Sequence, residues 1–180
     1  MCNSEKPHWY VLRVPYLRAA KAKQFLDELG YRTALPTYTS KRKDDTSEVT
    51  LACVPNTLFV YGTLSQMKSL FVNPALPPMS FLYDHCKELD GKNPPLVIPD
   101  QEMENFIRFS EHVNKHVVDV TNTPIRYRTD YNVRVTQGDF EGVVGRVAKI
   151  FGQTRVVVSL NNLCLMATSY IPAAFMEPVK

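Results

Sequence analysis

The chain has 180 residues, 44% hydrophobic and 22% charged, the proportions of a globular protein with room for one ordinary domain or two small ones. No apolar stretch is long enough to cross a bilayer, and polar residues 1–8 precede a Trp9–Val14 run too short for a signal-peptide core, so a cytoplasmic protein with no membrane partner is expected. A net charge of +3 permits nucleic-acid contact without demanding it, and Cys2, Cys53, Cys86 and Cys164 form neither a CxxC pair nor a metal-ligand spacing with histidine.

Trp9 to Val14, aromatic and β-branched, predicts a buried strand. After Pro15-Tyr16, Ala22, Phe25, Leu26 and Leu29 recur with helical period, and Gly30 stands where a C-terminal cap belongs. A second strand is expected over residues 32–39, with Pro36 marking an edge or irregularity. Lys41-Arg42-Lys43-Asp44-Asp45 is a polar hairpin tip, followed by strands at 49–54 and 58–61 joined through Pro55-Asn56. Thr63 and Gln66 predict a capping box for a short helix ending near Phe71. A strand at 80–83 and the Leu96-Val97-Ile98 run come next, and Asp100 is expected to cap a helix that fades near 110–114. Residues 115–124, with Thr121-Asn122-Thr123-Pro124, carry the composition of a linker, and beyond them short β-rich runs at 133–135, 142–147 and 155–160 alternate with glycine turns, as in a small barrel.

The opening Trp9-Tyr10-Val11 strand, the helix ending at Gly30 and Pro55-Asn56-Thr57-Leu58-Phe59-Val60 resemble the N-terminal domain of the NusG family of bacterial transcription factors. Residues 133–147, VRVTQGDFEGVVGRV, resemble its KOW motif. Asn56, where the general factor carries Gly, and the tail SYIPAAFME resemble the specialised RfaH-like and UpxY members, which act on particular operons such as those for capsular polysaccharide synthesis. The resemblance implies an α+β NusG-like domain with an antiparallel sheet and flanking helices over residues 1–114, a linker at 115–125, and a small all-β KOW (SH3-like) barrel over 126–180, with few contacts across the linker. It implies a transcription elongation and antitermination factor that holds the clamp of RNA polymerase closed.

For site residues, the resemblance places Pro55, Thr57, Phe59, Phe81, Met103 and Phe106 in an apolar depression that receives the clamp coiled coil. The same residues would serve equally as the domain's own core, and Thr57 replaces the aromatic residue usual in the family. Arg18, Lys21 and Gln24 step by three along the first helix, and Asn73 follows the second. In RfaH-like members these regions meet the displaced non-template DNA strand, although Glu28 on the same side opposes a purely basic face. Lys41 to Lys43 fit either a solvated tip or a contact with upstream DNA or the polymerase lobe. Gly138, Gly142 and Gly145 give backbone freedom in the KOW turn. The barrel is expected to recruit a ribosomal protein or Rho.

His8, His85, His112 and His116 lie near no recognisable nucleophile motif, and residues 138–142 lack the strand-to-helix setting of a phosphate loop, so neither catalysis nor a cofactor is expected. The alternative function is a ribosome-associated RNA-binding protein, since KOW barrels also occur there.

Overall fold

The structure, a computed structural model, describes residues 5–15, 18–41, 48–111, 117–161 and 163–179. Residues 42–45 of the expected hairpin tip, His112, His116 and the first residues of the expected linker lie outside them. Two compact units emerge, residues 1–35 with 55–100 and residues 36–54 with 101–180.

The first unit is built on strand β1 (His8–Arg13), which pairs antiparallel with β5 (Thr57–Gly62), in register from His8 opposite Gly62 to Arg13 opposite Thr57. The outer strand β2 (Arg32–Ala34) joins β5, while β6 (Ser80–Phe81) and β7 (Val97–Ile98) both pair with the other side of β1. Alternation sends Tyr10, Leu12, Val14, Leu58 and Val60 to one face. Helices α1 (Ala19–Glu28) and α2 (Leu64–Phe71) cover it with Ala19, Ala22, Leu26, Met67 and Leu70. The α1 turn closes at Gly30, whose φ is +82°. At the start of α2 the capping box forms as expected: Gln66 N–H donates to Thr63 Oγ1 at 3.2 Å and Thr63 N–H donates to Gln66 Oε1 at 2.8 Å.

The expected strand at 32–39 is two strands. Leu35-Pro36 interrupts it, because proline brings no N–H to a ladder, and β3 (Thr37–Lys41) pairs with β4 (Glu48–Ala52) in a separate two-stranded sheet of the second unit.

The second unit also contains α3 (Asp100–Glu111) and a six-stranded antiparallel sheet. Its strands are β8 (Val118–Asp119), β9 (Tyr127–Val135), β10 (Val144–Ile150), β11 (Gln153–Leu160), β12 (Cys164–Ala167) and β13 (Met176–Pro178), in spatial order β13-β9-β10-β11-β12-β8. The C-terminal β expectation thus holds at the level of an all-β sheet. Gly145 is required there by close approach, since a Cβ would sit 2.4 Å from the carbonyl oxygen of Val157. The expected linker is partly structure. Val118-Asp119 pairs with Met166-Ala167, Val120 N–H donates to Leu165 O at 2.9 Å, and the Val120 side chain is fully buried.

Candidate functional site

Within the first unit, the sheet face opposite the helices carries Trp9 and Val11 from β1, Thr57 and Phe59 from β5, and Ile98 from β7. Each is at most 5% exposed. Pro55-Asn56 forms the turn into β5. Asn56 adopts φ +56°, a conformation open mainly to Gly and Asn, and its carbonyl accepts from Val14 N–H at 2.8 Å. The chemistry at position 56 is therefore a backbone requirement. Pro55 is exposed, while Thr57 and Phe59 share the buried face. Phe81 lies on the other side of the sheet, with its ring 5.7 Å from Tyr10 and 4.7 Å from Phe71 in the helix-covered core. The sheet therefore separates Phe81 from Thr57 and Phe59.

Helix α3 belongs with the C-terminal sheet, and two rows along it explain why. Met103, Phe106 and Phe109 recur every third residue and are fully buried. Phe106 and Phe109 have ring centroids 5.8 Å apart, and Phe109 stacks on Phe140 of the β9–β10 turn at 5.7 Å. Beside them runs a polar row, Glu102, Asn105 and Arg108, also every third residue. Asn105 Nδ2 donates to Val144 O at 2.7 Å, and Asn105 Oδ1 accepts from Val144 N–H at 2.8 Å, so one side-chain amide does the work of a neighbouring strand. Arg108 Nη1 donates to Gly142 O at 3.3 Å, and Asn161 N–H donates to Glu102 Oε1. This overturns the expectation of few contacts across residues 115–125. Sequence reasoning assigned no site role to this polar row, although its three-residue spacing parallel to the apolar row is visible in the chain.

Near the base of the β3–β4 hairpin, Cys53 is buried with its N–H on Pro36 O, and burial, reinforced by the negative charge of Asp119, pushes its thiol up to about 12. Burial likewise pushes up the Cys164 thiol and the Tyr38 hydroxyl. Among the described residues no three His, Cys, Asp or Glu side chains cluster as a metal would need, and no helix is long and apolar enough to cross a membrane.

A family model described as transcription termination factor nusG matches residues 7–107, from the residue before β1 to the third turn of α3. The chain belongs to the NusG family. It is thus, in general terms, a transcription elongation or antitermination factor. No curated protein matches it. The NusG match ends inside α3, so it takes in Glu102, Met103, Asn105 and Phe106 but none of their C-terminal partners.

The nucleic-acid candidates of this NusG-family chain lie on the first unit. Arg18, Lys21 and Gln24 are all exposed. Gln24 Nε2 donates to Glu28 Oε1 at 3.3 Å, and Lys23 pairs with Asp27 at 2.5 Å on the adjoining flank. Asn73 instead shapes the exit of α2, its Oδ1 accepting from Ala75 N–H at 3.0 Å.

Proposed function

We propose that this chain binds RNA polymerase at the clamp coiled coil and suppresses pausing and termination without catalysing any reaction, and that α3 supplies the docking surface after parting from the C-terminal sheet. The observation carrying this is the pair of rows on α3. An apolar face of Met103, Phe106 and Phe109 offers what a partner helix would bury, and the neighbouring polar row tethers it. Polar tethers exchange with water on opening, at a net cost of about 1 kcal/mol per hydrogen bond. A polymerase surface that prefers the open form can supply that difference. Pro55, Thr57 and Phe59 remain docking candidates through the family resemblance, and Phe81 contributes as core.

The C-terminal strands then act as a KOW barrel that recruits a ribosomal protein or Rho. Arg18, Lys21 and Gln24 face the non-template strand. Asn56, where the general factor carries Gly, and the SYIPAAFME tail support by resemblance a specialised RfaH-like or UpxY-like member acting on chosen operons, such as those for capsular polysaccharide.

The test compares polymerase binding by the parent, by a release variant (N105A/R108A) and by the release variant carrying Phe106→Ala. The release variant should bind more tightly, and Phe106→Ala should reverse the gain. A release variant whose α3 amides are demonstrably open to exchange, yet which binds no better than the parent, would rule out α3 as the docking surface. Co-purification with ribosomes instead of polymerase would favour the ribosome-associated alternative.

A further inference from the structure

Strand β12 uses its two sides unequally. Towards β11 it pairs through four residues, Cys164 to Ala167 opposite Leu160 to Val157. Towards β8 it pairs through two, Met166 opposite Asp119 and Ala167 opposite Val118. One further backbone bond follows, from Val120 N–H to Leu165 O at 2.9 Å. There the ladder stops. Val120 O, the carbonyl placed to continue it, instead accepts from Thr123 N–H at 3.0 Å. Leu165 N–H donates to Thr121 Oγ1 at 3.0 Å, so a hydroxyl stands in for a strand carbonyl.

Asp119 helps to end the pairing. Its Oδ1 accepts from Thr121 N–H at 2.9 Å and from Thr121 Oγ1 at 2.6 Å, a local turn that competes with extended backbone. Against this short ladder stands one anchor, the fully buried Val120, which clusters with Ala148, Ile150, Val157 and Ala167. An open strand edge is a template for pairing with another chain, and short strands bearing charge are a common way of closing one. β8 has that form, and a closure made of so few bonds belongs to the low-stability end of a fold. A longer extended segment could pair along all of β12 where β8 pairs along half.

We propose that β8 is a latch on an interaction surface: it occupies the edge of β12 that an extended segment of a protein partner takes by strand addition, and the partner displaces it. The partner strand runs antiparallel to β12, seats a β-branched residue where Val120 sits, and meets Leu165 N–H with a backbone carbonyl. This deepens the recruitment reading above and rests on it for the existence of a protein partner, whereas the edge itself can be tested without one.

The experiment is fluorescence anisotropy of a labelled peptide with the sequence of residues 117–123, VVDVTNT, added to the full chain and to its Val118→Pro variant. Proline puts a residue without an N–H into β8. The variant should bind the peptide about tenfold more tightly than the parent or better, because losing the built-in competitor raises the competent fraction. The same peptide with proline at its second position should bind neither chain. Amide exchange at Leu165, whose acceptor is Thr121, should speed up in the variant and slow again when the peptide is added. Asp119→Ala, at an exposed position, removes both bonds that hold Thr121 and moves the two readouts the same way, so the test stands even if Val118→Pro does not fold. Peptide binding no tighter in a variant whose Leu165 amide is demonstrably freed overturns the proposal. So does an unchanged Leu165 exchange rate in both variants. Dimerisation of a variant in place of peptide capture gives the edge to a second copy, which also overturns it. No ribosomal protein or Rho enters this assay, so a failure of the barrel to recruit either leaves its outcome intact.

Discussion

The tether on α3 makes a quantitative demand at one amide. Asn105→Ala removes two hydrogen bonds of 2.7 and 2.8 Å to the backbone of Val144 and creates no clash. Each is worth about 1 kcal/mol net, so α3 should part from β10 at a total cost lower by about 2 kcal/mol. That corresponds to roughly 30-fold in the opening equilibrium. The Val144 N–H reports on it directly, because its acceptor is the Asn105 side chain. Amide-resolved hydrogen–deuterium exchange should find Val144 at least 30-fold faster in the variant, while amides within the β10–β11 ladder keep their rates. The melting temperature should drop by about 4–8 °C, as that loss implies for a chain of this size. Asn105→Asp should be worse than Ala at neutral pH, since a carboxylate keeps the acceptor for Val144 N–H but sets a negative charge against Val144 O. An unchanged Val144 exchange rate in the Ala variant would refute the idea that the amide clamps the strand.

Three further outcomes are expected. Phe151 and Gly152 form the two-residue turn between β10 and β11, Phe151 at φ +50°; Phe151→Asn should stabilise the chain by about 1 kcal/mol, through relief of a left-handed aromatic residue, and raise the melting temperature by about 2–4 °C, and a lower melting temperature would mean that the turn holds no such strain. Gly145→Ala should cost more than about 2 kcal/mol, because its Cβ would meet the Val157 carbonyl at 2.4 Å, and denaturant titration reads the loss. Burial pushes the Cys53 thiol up from 9.0 to about 12, so the folded state retains a proton that the unfolded state releases. Its contribution to stability is therefore complete below about pH 9 and declines as pH rises towards 12. The parent should lose stability between pH 8 and 10.5 more steeply than Cys53→Ala, and equal slopes would mean that the thiol is not shielded in solution.

Local chemistry made much of this chain legible. The β1 strand, the apolar stripe of α1, the turn at Gly30 and the Thr63–Gln66 box each depend on neighbours within a few residues, and each appears where its pattern predicts. What was misread depends on partners far along the chain. Periodicity gives α3 an apolar row but not the surface that covers it, and Asn105 is 39 residues from the strand it binds. Val118-Asp119 is too short to announce a strand and becomes one only because β12 offers an edge. Phe81 and Phe59 are equally apolar in sequence, yet strand register puts them on opposite faces of one sheet. The polar row of α3 and the Phe151 turn were open to detection, the first from its spacing and the second from an aromatic before Gly where Asn or Asp is usual.

The grip of Asn105 on Val144 is made entirely to main-chain atoms. Every amino acid except proline would present the same N–H and C=O at position 144, so drift along β10 leaves the attachment untouched. Selection can act on it only from the helix side, where even the one-carbon extension to glutamine would shift both amide atoms out of place. A lineage that dispensed with the attachment would therefore record the change at position 105 while its β10 sequence stayed silent.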